Sequence, residues 1–245
     1  MSSATKMFFA AGSQDTPVSP VADSIVALWD FESAAQTADS AGANTLTEFE
    51  TVPVATGKVG DGAGPFTSSN YFYGTSAVGP SGTSARTVSA WFKISGNTLT
   101  AGIIGNGGDA SSLSSCTGML VGVDATGRIG VYCGNGRTAF YGSGYNNGVW
   151  HYVTVTYDDS AFLSGVKVFC DGFELTQDAL NNNAAIALEE QYNTSVGVWR
   201  RAVISSIFEG SMDQVLIADR LWTLADHNYA RGAGAGRPTS ELLGL

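Results

Sequence analysis

Few side chains in this 245-residue chain have the types and spacing that covalent chemistry needs. Acid and nucleophile work on a glycosidic bond requires two carboxyls facing one another a few ångströms apart. The acidic pairs on or near strand-like runs are Glu189-Glu190 and Glu209…Asp213. Adjacent strand residues point to opposite faces, so Glu189 and Glu190 cannot converge, whereas Glu209 and Asp213 can share a face. The chain has two histidines, His151 and His227. They do not form a pair at metal-ligand spacing, and no Ser, His and Asp pattern indicates a nucleophilic triad. His151 lies in a strand-like run, where hydrogen bonds satisfy it; His227 falls on a short predicted helix and is expected to be exposed. The Gly105–Gly108 run lacks the Lys-Ser/Thr and helix of a phosphate loop and reads as a turn. What remains is recognition chemistry. Rings in Gly- and Asn-rich stretches can stack on sugar faces with amides beside them, and Tyr and Asn suit adaptable contacts of this kind. Tyr71, Tyr73, Tyr141, Tyr145, Asn146 and Trp199 are the candidate glycan contacts.

The elements that must position these residues are strands. Residues 150–157, WHYVTVTY, are β-branched or aromatic apart from His151. Trp150, Tyr152, Thr154 and Thr156 share one face, and His151, Val153, Val155 and Tyr157 the other. Both faces carry sizeable side chains, which predicts a strand covered on both sides. A polar loop follows, then a strand over 166–170, and Asp171-Gly172 supplies the positive φ angles of a tight type I′ turn into 173–176. Such a meander needs a second sheet to bury its faces. Further strands are predicted over 25–31, 46–54, 87–94, 119–123, 128–133, 184–188, 195–199 and 209–218, about a dozen in all. Thr223 with Asp226 forms a capping-box pattern, and Gly232 closes a helix over 223–231. Trp29, Phe31, Trp91, Val153, Val155, Val168, Cys170, Val215 and Ile217 are the expected core.

Composition agrees. Gly is abundant (31 residues), only 14% of residues are charged, and the formal net charge is −10. An acidic chain without a basic run argues against nucleic acid as a partner. No apolar run is long enough to span a bilayer, and the short 7–11 patch lacks the basic flank and length of a secretory signal.

The motifs carry a family resemblance. Trp150-His151-Tyr152-Val153, Tyr157-Asp158 and Val168-Phe169-Cys170-Asp171-Gly172 resemble the central strands of laminin-G-like, concanavalin A-like domains. Trp29-Asp30-Phe31, Gly57-Lys58-Val59-Gly60 with Phe66, Thr87–Phe92, Phe208–Val215 and Leu221-Trp222-Thr223 resemble further family segments in family order. The resemblance spans roughly residues 24–231. It implies an all-β, two-sheet antiparallel jelly-roll sandwich with one short C-terminal helix. It also implies a rim calcium site, with Asp39 and Asp213 at the matching positions, since carboxylate oxygens suit Ca²⁺. The fold hosts lectins, enzymes and scaffolding modules, so it does not by itself fix a ligand.

Domain organisation follows: residues 1–20 an N-terminal docking arm, 21–231 the sandwich, 232–245 a flexible C-terminal tail. Phe8, Phe9 and Leu242, Leu243, Leu245 give the arm and tail apolar tips for holding the protein in an assembly. Cys116, Cys133 and Cys170 are odd in number. A hairpin through 124–127 would put Cys116 and Cys133 on neighbouring strands, where a disulfide is one option; the reading taken is three reduced thiols. The function expected is non-catalytic: a virion-surface structural protein, capsid decoration protein or tail adhesin, made in the cytoplasm without a signal peptide. Its partners are other virion subunits through the arms, a second copy of the chain, and a cell-surface glycan. The alternatives are a bacterial carbohydrate-binding module or lectin and, more weakly, a glycosidase.

Overall fold

The computed structural model describes residues 18–67, 69–97, 100–107, 118–133, 137–160, 164–181, 193–198 and 206–245. In chain order the strands are β1 (Ile25–Trp29), β2 (Thr47–Phe49), β3 (Val54–Thr56), β4 (Asp61–Ala63), β5 (Tyr71–Tyr73), β6 (Arg86–Ser95), β7 (Ala101–Gly107) and β8 (Gly118–Val123). They continue as β9 (Ile129–Cys133), β10 (Arg137–Tyr141), β11 (Asn147–Tyr157), β12 (Val166–Cys170), β13 (Phe173–Glu174), β14 (Gln177–Asn181), β15 (Ser195–Val196) and β16 (Gly210–Ala218). Helices α1 (Leu224–Arg231) and α2 (Thr239–Leu243) follow. Among the described residues there are sixteen strands, more than the predicted dozen, because several are short pieces of two or three residues. The predicted strand over 184–188 lies outside the described residues.

Two eight-stranded sheets form the sandwich. One runs β13-β12-β11-β6-β16-β4-β3, with β1 also paired to β16; the other runs β14-β10-β9-β8-β7-β15-β5-β2. The alternation in β11 explains the layering. Val153, Val155 and Tyr157 enter the inter-sheet core beside Val88, Ala90 and Phe92 of β6, and meet Val121, Val123 and Val131 of the facing sheet. Tyr152 points the other way, into a second apolar layer with Trp91, Leu216, Trp222, Ala230 and Leu242. All nine expected core residues are buried. Trp91 is buried on the outer face of its sheet, beneath the C-terminal segment, rather than between the sheets. The Asp171-Gly172 turn has φ of 50° and 98°, as the sequence predicts.

The second layer overturns two expectations. His227 is fully buried: α1 lies on the outer face of the first sheet and turns this ring inward. Its Nδ1 donates to Thr154 Oγ1 (2.8 Å), its Nε2 accepts the Gly172 N–H (3.0 Å), and the ring packs 5.2 Å from that of Tyr152. Burial pushes its pKa down to about 4, aided by Arg231 and opposed by Asp171. The capping box and the left-handed Gly232 are formed as predicted. The 232–245 segment, however, folds back instead of trailing away. Leu242 is 1% exposed, its carbonyl accepts the Ser19 hydroxyl (2.7 Å), and the Arg237 guanidinium stacks 4.0 Å over the Tyr229 ring. An apolar sheet face needs a cover, and this segment supplies part of it. Ser19 is buried there too, so the end of the expected arm, residues 19–20, belongs to the sandwich; residues 1–17 lie outside the described ones.

Cysteine usage also differs from expectation. Cys133, opposite Met119 in the β8–β9 hairpin, is disulfide-bonded, and Cys170 is free and buried. Cys116 lies outside the described residues.

Candidate ligand-binding site

Four connecting segments meet at one end of the sandwich: the β6–β7 link with Asn97, the β8–β9 turn at 124–128, the β10–β11 loop at 142–146 and the β12–β13 turn. Their contacts are specific. Asn146 Nδ2 donates to Asn97 Oδ1 (3.1 Å) and to the Ala125 carbonyl (3.3 Å), and the Tyr145 N–H donates to the Gly127 carbonyl (2.9 Å). Gly127 has φ of 76°, and a Cβ there would sit 2.9 Å from the Tyr145 nitrogen, so only glycine admits this approach.

The β8–β9 turn fixes a cation. Asp124 Oδ1 accepts the backbone N–H groups of Thr126 and Arg128 (both 2.9 Å) and the Thr126 hydroxyl (2.7 Å). Its Oδ2 accepts Arg128 Nε (2.7 Å) and Nη2 (2.6 Å). Burial raises the Asp124 carboxyl, but the Arg128 N–H, the Thr126 hydroxyl and the guanidinium together hold it below the usual range. So clamped, the Arg128 guanidinium lies 4.0 Å over the Phe140 ring, and Phe140 meets Tyr132 edge-on at 5.7 Å. A planar cation stacked on a ring is a preorganised, weakly hydrated surface. Half-buried Asn146 and Tyr145 are tied to this turn through the Ala125 and Gly127 carbonyls.

Beneath the loops a polar trio is built around the buried His151 ring. His151 Nδ1 meets Asp171 Oδ2 at 2.6 Å and its Nε2 meets Asn147 Oδ1 at 3.0 Å. Asn147 Oδ1 also accepts the Val149 N–H (3.1 Å), which fixes it as an acceptor. Both ring nitrogens therefore face oxygen atoms of neighbouring side chains. Asp171 Oδ1 accepts the Tyr152 N–H at 3.0 Å. Burial raises the Asp171 carboxyl, yet His151, the Tyr152 N–H and Arg231 together hold it below its usual range. The Tyr145 hydroxyl donates to Cys170, whose thiol burial pushes well above its usual pKa. The free imidazole nitrogen is thus spent on Asn147, not on Cys170, and the trio is not wired as a nucleophile with its base. Glu209 and Asp213 do not pair either: Glu209 is exposed and Asp213 has no exposure at all.

Residues 66–226 match the family model described as the concanavalin A-like lectin/glucanases superfamily. The chain belongs to this superfamily. No curated protein sequence matches it. Its sandwich superimposes on domain 4 of AbnA, a GH43 extracellular arabinanase from Geobacillus stearothermophilus, solved in complex with arabinotriose. The identity is 17%, covering 87% of this chain and 98% of that one, with a TM-score of 0.59. It also superimposes on the binding domain of Paraclostridial mosquitocidal protein 1 (11% identity, 86% and 52% covered, TM-score 0.62). A third match is botulinum neurotoxin type C, whose cell entry depends on interaction with two ganglioside molecules (13% identity, 85% and 50% covered, TM-score 0.56). This chain spans about half the length of the two toxin chains. At these identities the likeness is one of fold.

Within this lectin-like frame the expected sugar contacts separate. Tyr145 and Asn146 sit together in the loop cluster. Tyr141 is 2% exposed, and burial pushes its hydroxyl up to about 12. Tyr71 and Tyr73 lie on β5, with β9, β8, β7 and β15 between them and β10. Tyr71 is 4% exposed and stacked 4.8 Å from Phe49, so it presents no free face. Trp199 lies outside the described residues, as do Glu189 and Glu190. Sequence reasoning passed over Asn97, Asp124, Arg128 and Phe140. The Asp124…Arg128 spacing and the turn glycine between them were visible signals; the Phe140 stack was not.

The calcium positions serve loops. Asp39 Oδ1 accepts the Leu28 (2.9 Å) and Ala41 (3.0 Å) N–H groups, and its Oδ2 accepts the Asn44 N–H (3.0 Å) and Nδ2 (2.8 Å). Four donors aimed into one carboxylate would meet a cation with hydrogens, so Asp39 as placed does not fit Ca²⁺. Asp213 Oδ2 accepts the Lys58 (2.7 Å) and Val59 (2.8 Å) N–H groups, pinning a different loop. Among the described residues, one group of three His, Cys, Asp or Glu side chains converges closely enough to hold a metal, and it contains neither of these aspartates.

Proposed function

We propose that this domain binds carbohydrate without transforming it, through the loop end around Arg128. One observation carries the reading: the β6–β7 link, the β8–β9 turn and the β10–β11 loop bring the amides of Asn97 and Asn146, the Tyr145 ring and an Asp124-clamped guanidinium stacked on Phe140 to one rim. Flat apolar faces suit the C–H face of a sugar ring, and amides suit its hydroxyls. Solved relatives of this fold carry arabinotriose or depend on gangliosides, which supports the ligand class and makes arabino-oligosaccharides and sialylated glycans the first probes. The test is a glycan array followed by calorimetry on the best binder. Arg128→Ala is expected to weaken binding at least roughly tenfold, about 1.4 kcal/mol, while Tyr71→Phe leaves it unchanged. Full binding by the Arg128 variant would sink the site, and no saturable glycan binding would sink the function.

The Cys133 disulfide supports a destination in an oxidising environment, outside the cytosol. Residence on a virion surface is the narrower form of this proposal. The acidic composition is compatible with it, but the tail that was to provide one docking arm is committed to its own domain. Co-sedimentation of the purified chain with particles tests this role; a chain that stays in the supernatant with capsids and tails alike would remove it.

A further inference from the structure

We infer that His151, Cys170 and Asp171 form a site for a borderline-soft divalent ion of the Zn²⁺ class. One ligand atom from each lies within 4.8 Å of the other two. A tetrahedral ion with bonds of about 2.0–2.3 Å holds its ligand atoms roughly 3.3–3.8 Å apart, so side-chain rotation of about an ångström closes the set. The backbone already supports it. β11 and β12 pair with Val153 opposite Cys170, which puts the thiol and the imidazole on the same inner face. The left-handed Asp171 turns its carboxylate back over them. Thiolate, imidazole and carboxylate together are a donor set that selects Zn²⁺-like ions over Ca²⁺ or Mg²⁺.

The charge of the loaded site balances. Burial keeps the Cys170 thiol protonated as folded, and Asp171 brings a carboxylate held below its usual range. Binding one dication expels the thiol proton and leaves a thiolate, a neutral imidazole, a carboxylate and the ion: no net charge. The charged and titratable groups around it are Arg231, which acts on both Cys170 and Asp171, with His227 and Asp178. Arg231 faces a neutral site once the ion is bound, so it does not oppose the ion. Asn147, exposed, and the Tyr145 hydroxyl, on Cys170, border the fourth position and the way in.

The experiment titrates Co²⁺ into the native, chelator-treated chain with its disulfide intact. A thiolate-to-cobalt charge-transfer band saturating at one ion per chain, erased by Zn²⁺, is expected, with release of the thiol proton in weak buffer. Cys170→Val should abolish the band. No band at millimolar Co²⁺, or a band that persists in Cys170→Val, would overturn the site. Should that variant fail to fold, X-ray absorption of the Zn²⁺-loaded native protein decides instead: one sulfur in the first shell supports the site, and an all-nitrogen-and-oxygen shell refutes it. Glycan binding through Arg128 is scored separately, so either proposal can fail alone.

Discussion

Asp213 shows how one buried side chain sets a pH response. It has no solvent exposure, and its Oδ2 holds two backbone N–H groups of the loop after β3. Burial pushes its carboxyl up to about 7, against the pull of the Val59 and Lys58 N–H groups. The folded value lies above that of the unfolded chain. Between about pH 4 and about pH 7 the folded protein therefore keeps a proton that the unfolded chain has released, and this contribution to stability falls as pH rises through that window. Asp213→Asn keeps an acceptor for the two N–H groups and removes the titration. Urea melts at about pH 4.5 and about pH 7.5 should show the variant gaining on the wild type with rising pH, by on the order of 1–4 kcal/mol. A constant difference across the window would show that the carboxyl ionises as freely in the fold as outside it.

At the scale of elements, the helix and tail complete the first sheet. β6, β11 and β16 present Trp91, Tyr152, Leu216 and Ala218 on their outer face, a surface that water would otherwise meet. α1 contributes Ala230 and buried His227, and α2 contributes Leu242. Gln214 of β16 adds a tie by donating to the Arg237 carbonyl at 2.7 Å. Leu242→Ala should cost about 2–4 kcal/mol, from lost burial and the cavity left behind. Truncation after Gly236 should lower the melting temperature at least as far. A truncated chain that melts with the full one would return this segment to the role of a separate docking tail.

For the whole molecule, the Cys133 disulfide adds a covalent tie to a sandwich already large enough to bury a core without one. Reduction under native conditions should cost about 2–4 kcal/mol and leave the strand spectrum intact, which denaturant melts with and without reductant will read. An unchanged midpoint would mean that the link closes a segment the fold already holds. The sequence by itself determined the sandwich, because period-two alternation, turn chemistry at Asp171-Gly172 and the Thr223…Asp226 cap are local signals that need no partner to be read. It also determined which strand is covered twice, since both faces of 150–157 carry large side chains. Only the tertiary structure decided what covers the second face, because Leu242 and His227 have no apolar period of their own and are buried by what lies opposite them. The loop site was half legible for the same reason. Tyr145 and Asn146 are marked by composition, but Arg128 on Phe140, and Cys170 beside His151, meet through strand register between segments far apart in the chain.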